Sequence, residues 1–289
     1  MNLLERYNDL LRTSENGTIT LLNRVLDSSF NRLVRRSRIH MRAGYTDPAQ
    51  RNLALLQEFR MLIPAFNPNA VDGYDRIFRN LIGTASRYGV TVADELTGLV
   101  KTGPRIDVTI PLEATIAAAG QAKGYLRRHG EQFAETAAAT VAQGLAEGRP
   151  TDAMVQDMRQ RLNVVKSRAD VIVRTESLRA YGKASNEYYA AQGIDQVMYY
   201  ATSDDRTCPI CAPRAGNVYL RGSITVPLHP RCRCHLAPWS SEIDAIDPDY
   251  ATMRETHKAE VSRHRKLPRP EDLSKRGLFE LAEPVPVSM

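Results

Sequence analysis

All four cysteines of the chain lie between residues 208 and 234, grouped as CPIC and, after HP, as CRC. A Cys-x-x-Cys turn can direct two thiolates at one cation, and a second pair of ligands from a distant hairpin completes a tetrahedron. The spacing therefore predicts a structural zinc site that fastens a small lobe of the protein. The candidate ligands are Cys208, Cys211, His229, Cys232 and Cys234.

The second half of this cluster offers more ligands than a four-coordinate site needs. His229, Cys232 and Cys234 compete for two positions, and if residues 232–234 form a strand, the two cysteines share a face while His235 points away. Disulfides or free thiols are the alternative to zinc. A catalytic zinc is disfavoured because it requires an open coordination position. Since a reducing cytosol is expected for the folding chain, clustered thiols favour metal.

A second group of charged residues, Arg174-Thr175-Glu176, precedes the cysteines on a predicted helix. Residues two apart on a helix do not face each other, so Arg174 and Glu176 are not expected to pair. They form either surface ion pairs with helix neighbours or a clamp on the turn that contains Asp205. The sequence leaves these two interpretations open.

The elements that must position these residues are mostly helical up to residue 193. Apolar residues recur at three- and four-residue spacing from Leu3 to about Met41, and again from about Asp75 to Leu99, with interruptions expected at Gly83 and Gly89. A helix opened by Asp47 and Pro48 is expected between these two. An alanine-rich segment starting at Leu112 predicts one long or two stacked helices. Two further helices are expected, one from Thr151 and one ending at Gly193.

The periodicity then changes to that of short strands. Three are predicted, in QVMYYATS, NVYL and SITV. Beyond Trp239 the chain is polar, basic and contains several prolines, which predicts an extended arm. The fold class is therefore mainly α with a small α+β lobe near the C-terminus. The expected domains are a helical region 1–150, a Cys/His domain 151–240 and an extended arm 241–289.

Charge and hydropathy limit the function classes. The 289 residues carry 39 Lys+Arg against 33 Asp+Glu, a net charge of +6, which suits an acidic partner. Part of the excess positive charge lies on one predicted helix, at Arg32, Arg35, Arg36 and Arg38. These arginines form either a solvated face or a docking face for nucleic acid or a protein. No apolar run predicts a membrane anchor, and the charged start argues against a secretory signal.

Taken in order, these motifs resemble the C-terminal domain of the phage Mu F-like minor head proteins of tailed phages. The resemblance covers roughly Thr151 to Pro238 and depends on the RTE, DDRTCPIC and LHPRCRC segments. It implies a non-enzymatic minor capsid protein made in the host cytoplasm and built into the virion, in the head interior or at the portal vertex. It also implies the portal protein as partner, with scaffold, major capsid protein and phage DNA as further candidates, and release with the DNA in some relatives.

Two rival functions follow from the residues themselves. A DNA-binding or nuclease-like protein built on the His/Cys cluster would need a histidine base and a second, catalytic cation. His229 is expected to be a zinc ligand and His235 has no evident partner, which disfavours this alternative. A transferase of the ADP-ribosyltransferase type is disfavoured because the chain contains no Glu-x-Glu motif.

Overall fold

The fold is mostly helical with one small sheet, as the sequence predicts. This computed structural model describes residues 3–42, 72–204, 206–240 and 248–264, together with positions 47, 49, 50, 53, 54 and 57. Most of the helix predicted after Asp47, and also Asp205 and 265–289, therefore lie outside the described residues. The helices with continuous bounds are α1 (Leu3–Arg42), α2 (Asp72–Val100), α3 (Leu112–Ala146), α4 (Thr151–Ala191) and α5 (Pro248–His264).

The long helices are less interrupted than the sequence predicts. Helix α2 runs through both Gly83 and Gly89, and the two helices expected between Thr151 and Gly193 are the single helix α4. Gly89 serves close packing instead of a break, since a β-carbon there would lie 2.3 Å from the carbonyl oxygen of Tyr181. The predicted stop at Gly193 is confirmed, because this residue has φ +70°, which glycine adopts without strain.

A three-stranded antiparallel sheet follows α4, in the order β2-β1-β3. Its strands are β1 (Gln196–Tyr200), β2 (Val218–Leu220) and β3 (His235–Trp239), with Tyr200 opposite His235 and Gln196 opposite both Leu220 and Trp239. Two of the three predicted strands are confirmed. Because β3 is an edge strand, it accommodates Pro238, which has no N–H to contribute to a ladder.

The strand predicted at SITV is wrong. Gly222 has φ +90° and Ser223 donates its N–H to the Leu220 carbonyl, 3.1 Å away, so the chain turns there. Only an isolated bridge between Arg221 and Ile224 remains. The third strand is formed instead by β3, directly after the last cysteine.

Helix α5 occupies part of the segment predicted as an extended arm. His257 is 2% exposed, its ring stacks on Tyr200 with centroids 4.0 Å apart, and its Nε2 accepts the N–H of Ala201 at 3.1 Å. Arg254 lies over the Trp239 ring at 5.8 Å. The helix forms here because the sheet offers it aromatic surface, a tertiary contact that composition does not reveal.

The chain groups into two compact units, and each of α1 to α4 contributes residues to both. One unit contains the sheet, α5 and a buried aromatic core that includes Tyr181, Tyr189 and Tyr199; the other has a core of leucine, phenylalanine and alanine, with Phe30 and Phe78 fully buried. These units group contacts and do not test independent folding, so the predicted domain boundaries at 150 and 240 stay a prediction. The first unit comprises Met1–Arg12, Ile82–Thr115 and Arg174–Met289, and the second Thr13–Leu81 and Ile116–Val173.

In the described part of the chain, no helix combines the length and the apolar character needed to cross a bilayer.

Candidate metal centre

The first pair of cysteines is presented by a tight turn. Ala212 donates its N–H to the Cys208 carbonyl at 3.0 Å, and Cys211 donates its N–H to the Cys208 Sγ at 3.4 Å. A short 3₁₀ turn, Ala212–Arg214, with Pro213 at its start, follows directly. Both sulfurs thus project from one rigid turn, and a backbone N–H helps to stabilise negative charge on Cys208.

His229 and Cys232 are presented by a second turn. Cys232 donates its N–H to the His229 carbonyl at 3.1 Å, and Arg231 between them adopts φ 59°, a left-handed conformation that is uncommon for arginine. The Arg231 N–H is held by Thr175 Oγ1 of α4 at 3.2 Å. The His229 Nδ1 lies 2.8 Å from the Pro230 carbonyl, so Nδ1–H donates there and Nε2 is directed at the cysteine sulfurs.

The two turns bring the donor atoms to within coordination distance of a common point. The His229 Nε2 lies 3.1 Å from the Cys208 Sγ and 3.2 Å from the Cys211 Sγ, while the sulfurs of Cys211 and Cys232 are 3.8 Å apart. Zinc–ligand bonds of about 2.0 to 2.3 Å in a tetrahedron place neighbouring donors about 3.5 to 3.8 Å apart. The donor types therefore fit a zinc ion; the Cys211–Cys232 spacing matches the tetrahedron, and the two spacings to His229 are a few tenths of an ångström shorter.

Two overlapping groups of potential ligands share Cys211. One comprises Cys208, Cys211 and His229, and the other Cys211, Cys232 and Cys234, with the donor atoms of each group within 4.8 Å of one another. All four cysteines are free thiols in this structure, and all but Cys208 are buried. The five predicted donors thus fall into two overlapping groups that Cys211 connects.

Hydrogen bonds within the cluster shift the pKa values of its members in opposite directions. Hydrogen bonds from Cys211 and His229 lower the pKa of the Cys208 thiol to about 4, and hydrogen bonds to Cys208 and Cys232 raise the pKa of His229 to about 10. The pKa of Cys211 is raised because it donates to its neighbours, and that of Cys232 is lowered because it accepts, first from Cys211. The site thus stabilises the thiolate form, the form that ligates metal, at Cys208 and Cys232, while Cys211 favours its thiol form.

Comparison with known protein families identifies one family that the segment around this cluster resembles. Residues 135–237 match the model of the family described as phage Mu protein F like protein. This segment is similar to the Mu F-like domain. No curated protein and no solved structure shows significant similarity to the chain.

The family match extends the predicted resemblance toward the N-terminus. It ends within one residue of the predicted limit at Pro238 but begins at residue 135, inside α3, and not at Thr151. The matched segment thus includes the end of α3, all of α4, both turns and the sheet as far as residue 237, inside β3. The Mu F-like family indicates a phage head morphogenesis protein and a virion component.

The turn before the first cysteine is held by an ion pair inside the Mu F-like domain. Arg233 contacts both carboxylate oxygens of Asp204, through Nη1 at 2.5 Å and Nη2 at 2.7 Å, and Arg206 contacts the same carboxylate at 3.3 Å. These contacts, first of all that with Arg233, hold the pKa of Asp204 well below its ordinary value. This ion pair links the turn before Cys208 to the turn that contains Cys232. It was not predicted from the sequence, although both residues flank the cysteine motifs.

The RTE residues contribute in a way that the sequence did not resolve. Glu176 is buried and accepts from Arg179 at 3.1 Å, while Thr175, the middle residue, contacts the second turn through Arg231. Arg174 is half-buried. Of the two interpretations left open, the ion pair with a helix neighbour is confirmed for Glu176, which pairs with Arg179, while Thr175 and the Asp204–Arg233 pair provide described contacts to the turns.

The remaining candidate residues of the sequence analysis belong to neither group of potential ligands. Arg32, Arg35, Arg36 and Arg38 are all exposed on α1, and Arg38 pairs with Asp152 at 3.2 Å. His235 is 1% exposed in β3, where its ring meets Tyr181 edge-on at 5.0 Å. Burial lowers the pKa of His235 to about 4. A histidine in this position is inaccessible to a DNA substrate.

Proposed function

We propose that this protein is a non-enzymatic minor capsid protein that assembles inside the phage head, at or near the portal vertex. The observation that carries the proposal is the Mu F-like match over the segment that contains the complete Cys/His cluster. The portal protein is the expected partner, with scaffold or major capsid protein as further contacts, and release with the DNA is part of the proposal.

Cross-linking of assembled heads tests location and partner together. Lysine-reactive cross-links between this chain and the portal protein, identified by mass spectrometry, are expected to dominate over links to the rest of the shell. Links spread evenly over the major capsid protein would contradict the portal location. Absence of the chain from purified heads would contradict the virion role itself.

A structural zinc ion is the second part of the proposal, with Cys208, Cys211, His229 and Cys232 as ligands. The first three donors form one group, and Cys232 and Cys234 both belong to the other group, which shares Cys211. Cys232 is the favoured fourth ligand because its sulfur lies 3.8 Å from that of Cys211 and also hydrogen-bonds to His229, a contact that helps to raise the pKa of that histidine. When bound, zinc would supply folding energy to a lobe whose regular structure is a three-stranded sheet. Cys234 is then a buried thiol that packs beside the site.

The ligand assignment is tested by paired variants. Cys232→Ala is expected to lose stoichiometric zinc in elemental analysis, because a ligand is removed, while the matched variant Cys234→Ala retains one zinc per chain. The reverse pattern would reassign the fourth ligand to Cys234. Wild-type protein purified under reducing conditions without stoichiometric metal would end the zinc proposal.

Non-specific DNA contact through Arg32, Arg35, Arg36 and Arg38 completes the proposal. These exposed arginines lie within two turns of one helix, which suits a phosphate backbone. Binding to duplex DNA is then expected to fall steeply with salt and to weaken when all four are replaced by glutamine. Unchanged binding in that variant would leave these residues as a solvated face.

The nuclease alternative gains no support from the position of its candidate base. His235 is buried, and His229 faces the thiols. The nuclease alternative would be supported if the wild-type protein cleaved DNA in a metal-dependent way and the variant His235→Ala lost this cleavage while it retained zinc.

A further inference from the structure

A groove between α3 and α4 combines a cationic rim with an apolar floor. Its volume is about 260 Å³, and all its lining residues belong to one compact unit. It is lined by His129, Gln132, Phe133 and Thr136 of α3 and by Arg161, Val164, Val165 and Arg168 of α4.

The lining residues recur with helical periodicity on both walls. On α3 they occupy positions i, i+3, i+4 and i+7 from His129, and on α4 the same positions from Arg161. Such rows are the faces of two helices, so the groove follows their surfaces and is not a hole between loops. Arg161 and Arg168 are seven residues apart, or about 10 Å along the helix axis.

The two arginines have no counter-charge among the residues that the structure describes. Within the described chain, neither Arg161 nor Arg168 makes a hydrogen bond or an ion pair, whereas Lys166 between them pairs with Asp27 at 2.5 Å. No carboxylate lines the groove. Burial, together with the nearby charges of Arg168 and Arg128, lowers the pKa of His129, as expected in an electropositive site.

The floor of the groove exposes an apolar side chain that a partner can cover. Val164 lies between the arginines and is 58% exposed, while Phe133 and Val165 beneath it are buried. An exposed large aliphatic side chain bracketed by two cations one heptad apart matches a partner with the complementary pattern. A phosphate backbone would satisfy the arginines but would leave Val164 without an apolar neighbour.

We propose that this groove binds an acidic amphipathic segment of another protein, which inserts one apolar side chain against Val164 and pairs carboxylates with Arg161 and Arg168. The mode is that of a helix in a groove, where positions spaced by three, four and seven residues provide the anchors. The binding site is distinct from the Cys/His cluster and depends neither on zinc nor on the location of the protein in the head.

A designed peptide tests the proposal on the full-length protein. The probe is a synthetic helical peptide with a central leucine and a glutamate one turn before and one turn after it, and its control carries glutamines instead. We expect fluorescence anisotropy at low salt to show binding of the acidic peptide, and a roughly tenfold loss in the double variant Arg161→Gln, Arg168→Gln. The matched control is Arg127→Gln, an exposed arginine of α3 that pairs with Glu131 and lies outside the groove; its binding is expected to equal that of wild type.

Three outcomes would overturn the inference. Equal binding of the acidic and neutral peptides would remove the role of the arginines. A free-energy loss in the Arg127 control about half that of the double variant, in proportion to the charges removed, would show that only net charge matters. Tighter binding of single-stranded or duplex DNA, lost in the double variant while the peptide fails to bind, would assign the groove to nucleic acid. Circular dichroism of each variant verifies that the helices remain folded.

Discussion

The Tyr199 hydroxyl donates a hydrogen bond to the Sγ of Cys211 across 3.2 Å in the buried core of the sheet. Cys211 is the sulfur that both groups of potential ligands share. A hydrogen bond to a sulfur stabilises its thiolate form and orients it, as outer-shell partners do in other metal sites. Strand β1 therefore positions the cluster chemically as well as sterically.

Replacing this tyrosine tests the link. Tyr199→Phe keeps the buried ring but removes the donor, so we expect affinity for zinc to fall about 10- to 100-fold, measured by competition with a chromophoric chelator. Tyr219→Phe, on the neighbouring strand β2, is the matched control and is expected to leave the affinity unchanged. Equal zinc affinities for wild type and Tyr199→Phe would mean that the hydroxyl hydrogen bond contributes nothing to metal binding.

The Asp204–Arg233 pair is expected to stabilise the two turns. Asp204→Asn weakens a bidentate contact and leaves Arg233 half-buried without its counter-charge, which costs about 1 to 2 kcal/mol of unfolding free energy in urea. Asp195→Asn changes an exposed carboxylate just before β1 and is expected to remain within about 0.5 kcal/mol of wild type. A loss of the same size in both variants would show that general charge, and not this contact, is responsible.

Docking of α5 is expected to weaken in mild acid. Burial lowers the pKa of His257 to about 4, and its Nε2 must stay unprotonated to accept the Ala201 N–H. Above the ordinary pKa of about 6.5, His257 is neutral in both the docked and the undocked chain. As the pH falls from there to 5, the undocked chain takes up the proton first, so about 2 kcal/mol of docking free energy is lost. Hydrogen exchange of residues 248–264 measured from pH 8 to pH 5 reports this loss locally.

The variant His257→Phe separates this effect from acid loss of metal. It preserves the ring stacked on Tyr200 but removes the titrating group, at a cost of about 1 to 3 kcal/mol for the unpaired Ala201 N–H. Protection of residues 248–264 is then expected to be lower than in wild type at pH 8 and to change less toward pH 5. The same pH profile in both proteins would assign the acid sensitivity to another group.

The close approach of α2 and α4 at Gly89 is expected to tolerate no side chain. A β-carbon would meet the Tyr181 carbonyl oxygen at 2.3 Å, so Gly89→Ala should lower the unfolding free energy by about 2 to 3 kcal/mol in thermal or urea denaturation. Gly120→Ala, at a helical position with nothing within 4 Å, is expected to gain about 0.5 to 1 kcal/mol. A neutral Gly89→Ala would show that the helices can separate without cost.

The chemistry of the cluster was readable from the chain because its determinants are local. The ligand types and the spacing of Cys208-x-x-Cys211 and His229-x-x-Cys232 are properties of short segments, and so is the helical periodicity. The third strand was misplaced because SITV has a strand-like composition, whereas Gly222 and the pairing of β3 with β1 decide the outcome. Strand pairing depends on partners distant in sequence, which local propensity does not contain.

The sequence by itself determined a helical protein with five potential metal ligands and a family resemblance. Tertiary structure alone decided that Tyr199 supports Cys211, that Asp204 binds Arg233 across the two turns, and that α5 docks on Tyr200 in place of an extended arm. It also decided that Arg161 and Arg168 flank an apolar groove. These four features have one physical reason in common. Each depends on a contact between side chains that packing brings together, and packing energy depends on the surfaces that meet and not on which residues are neighbours in the sequence.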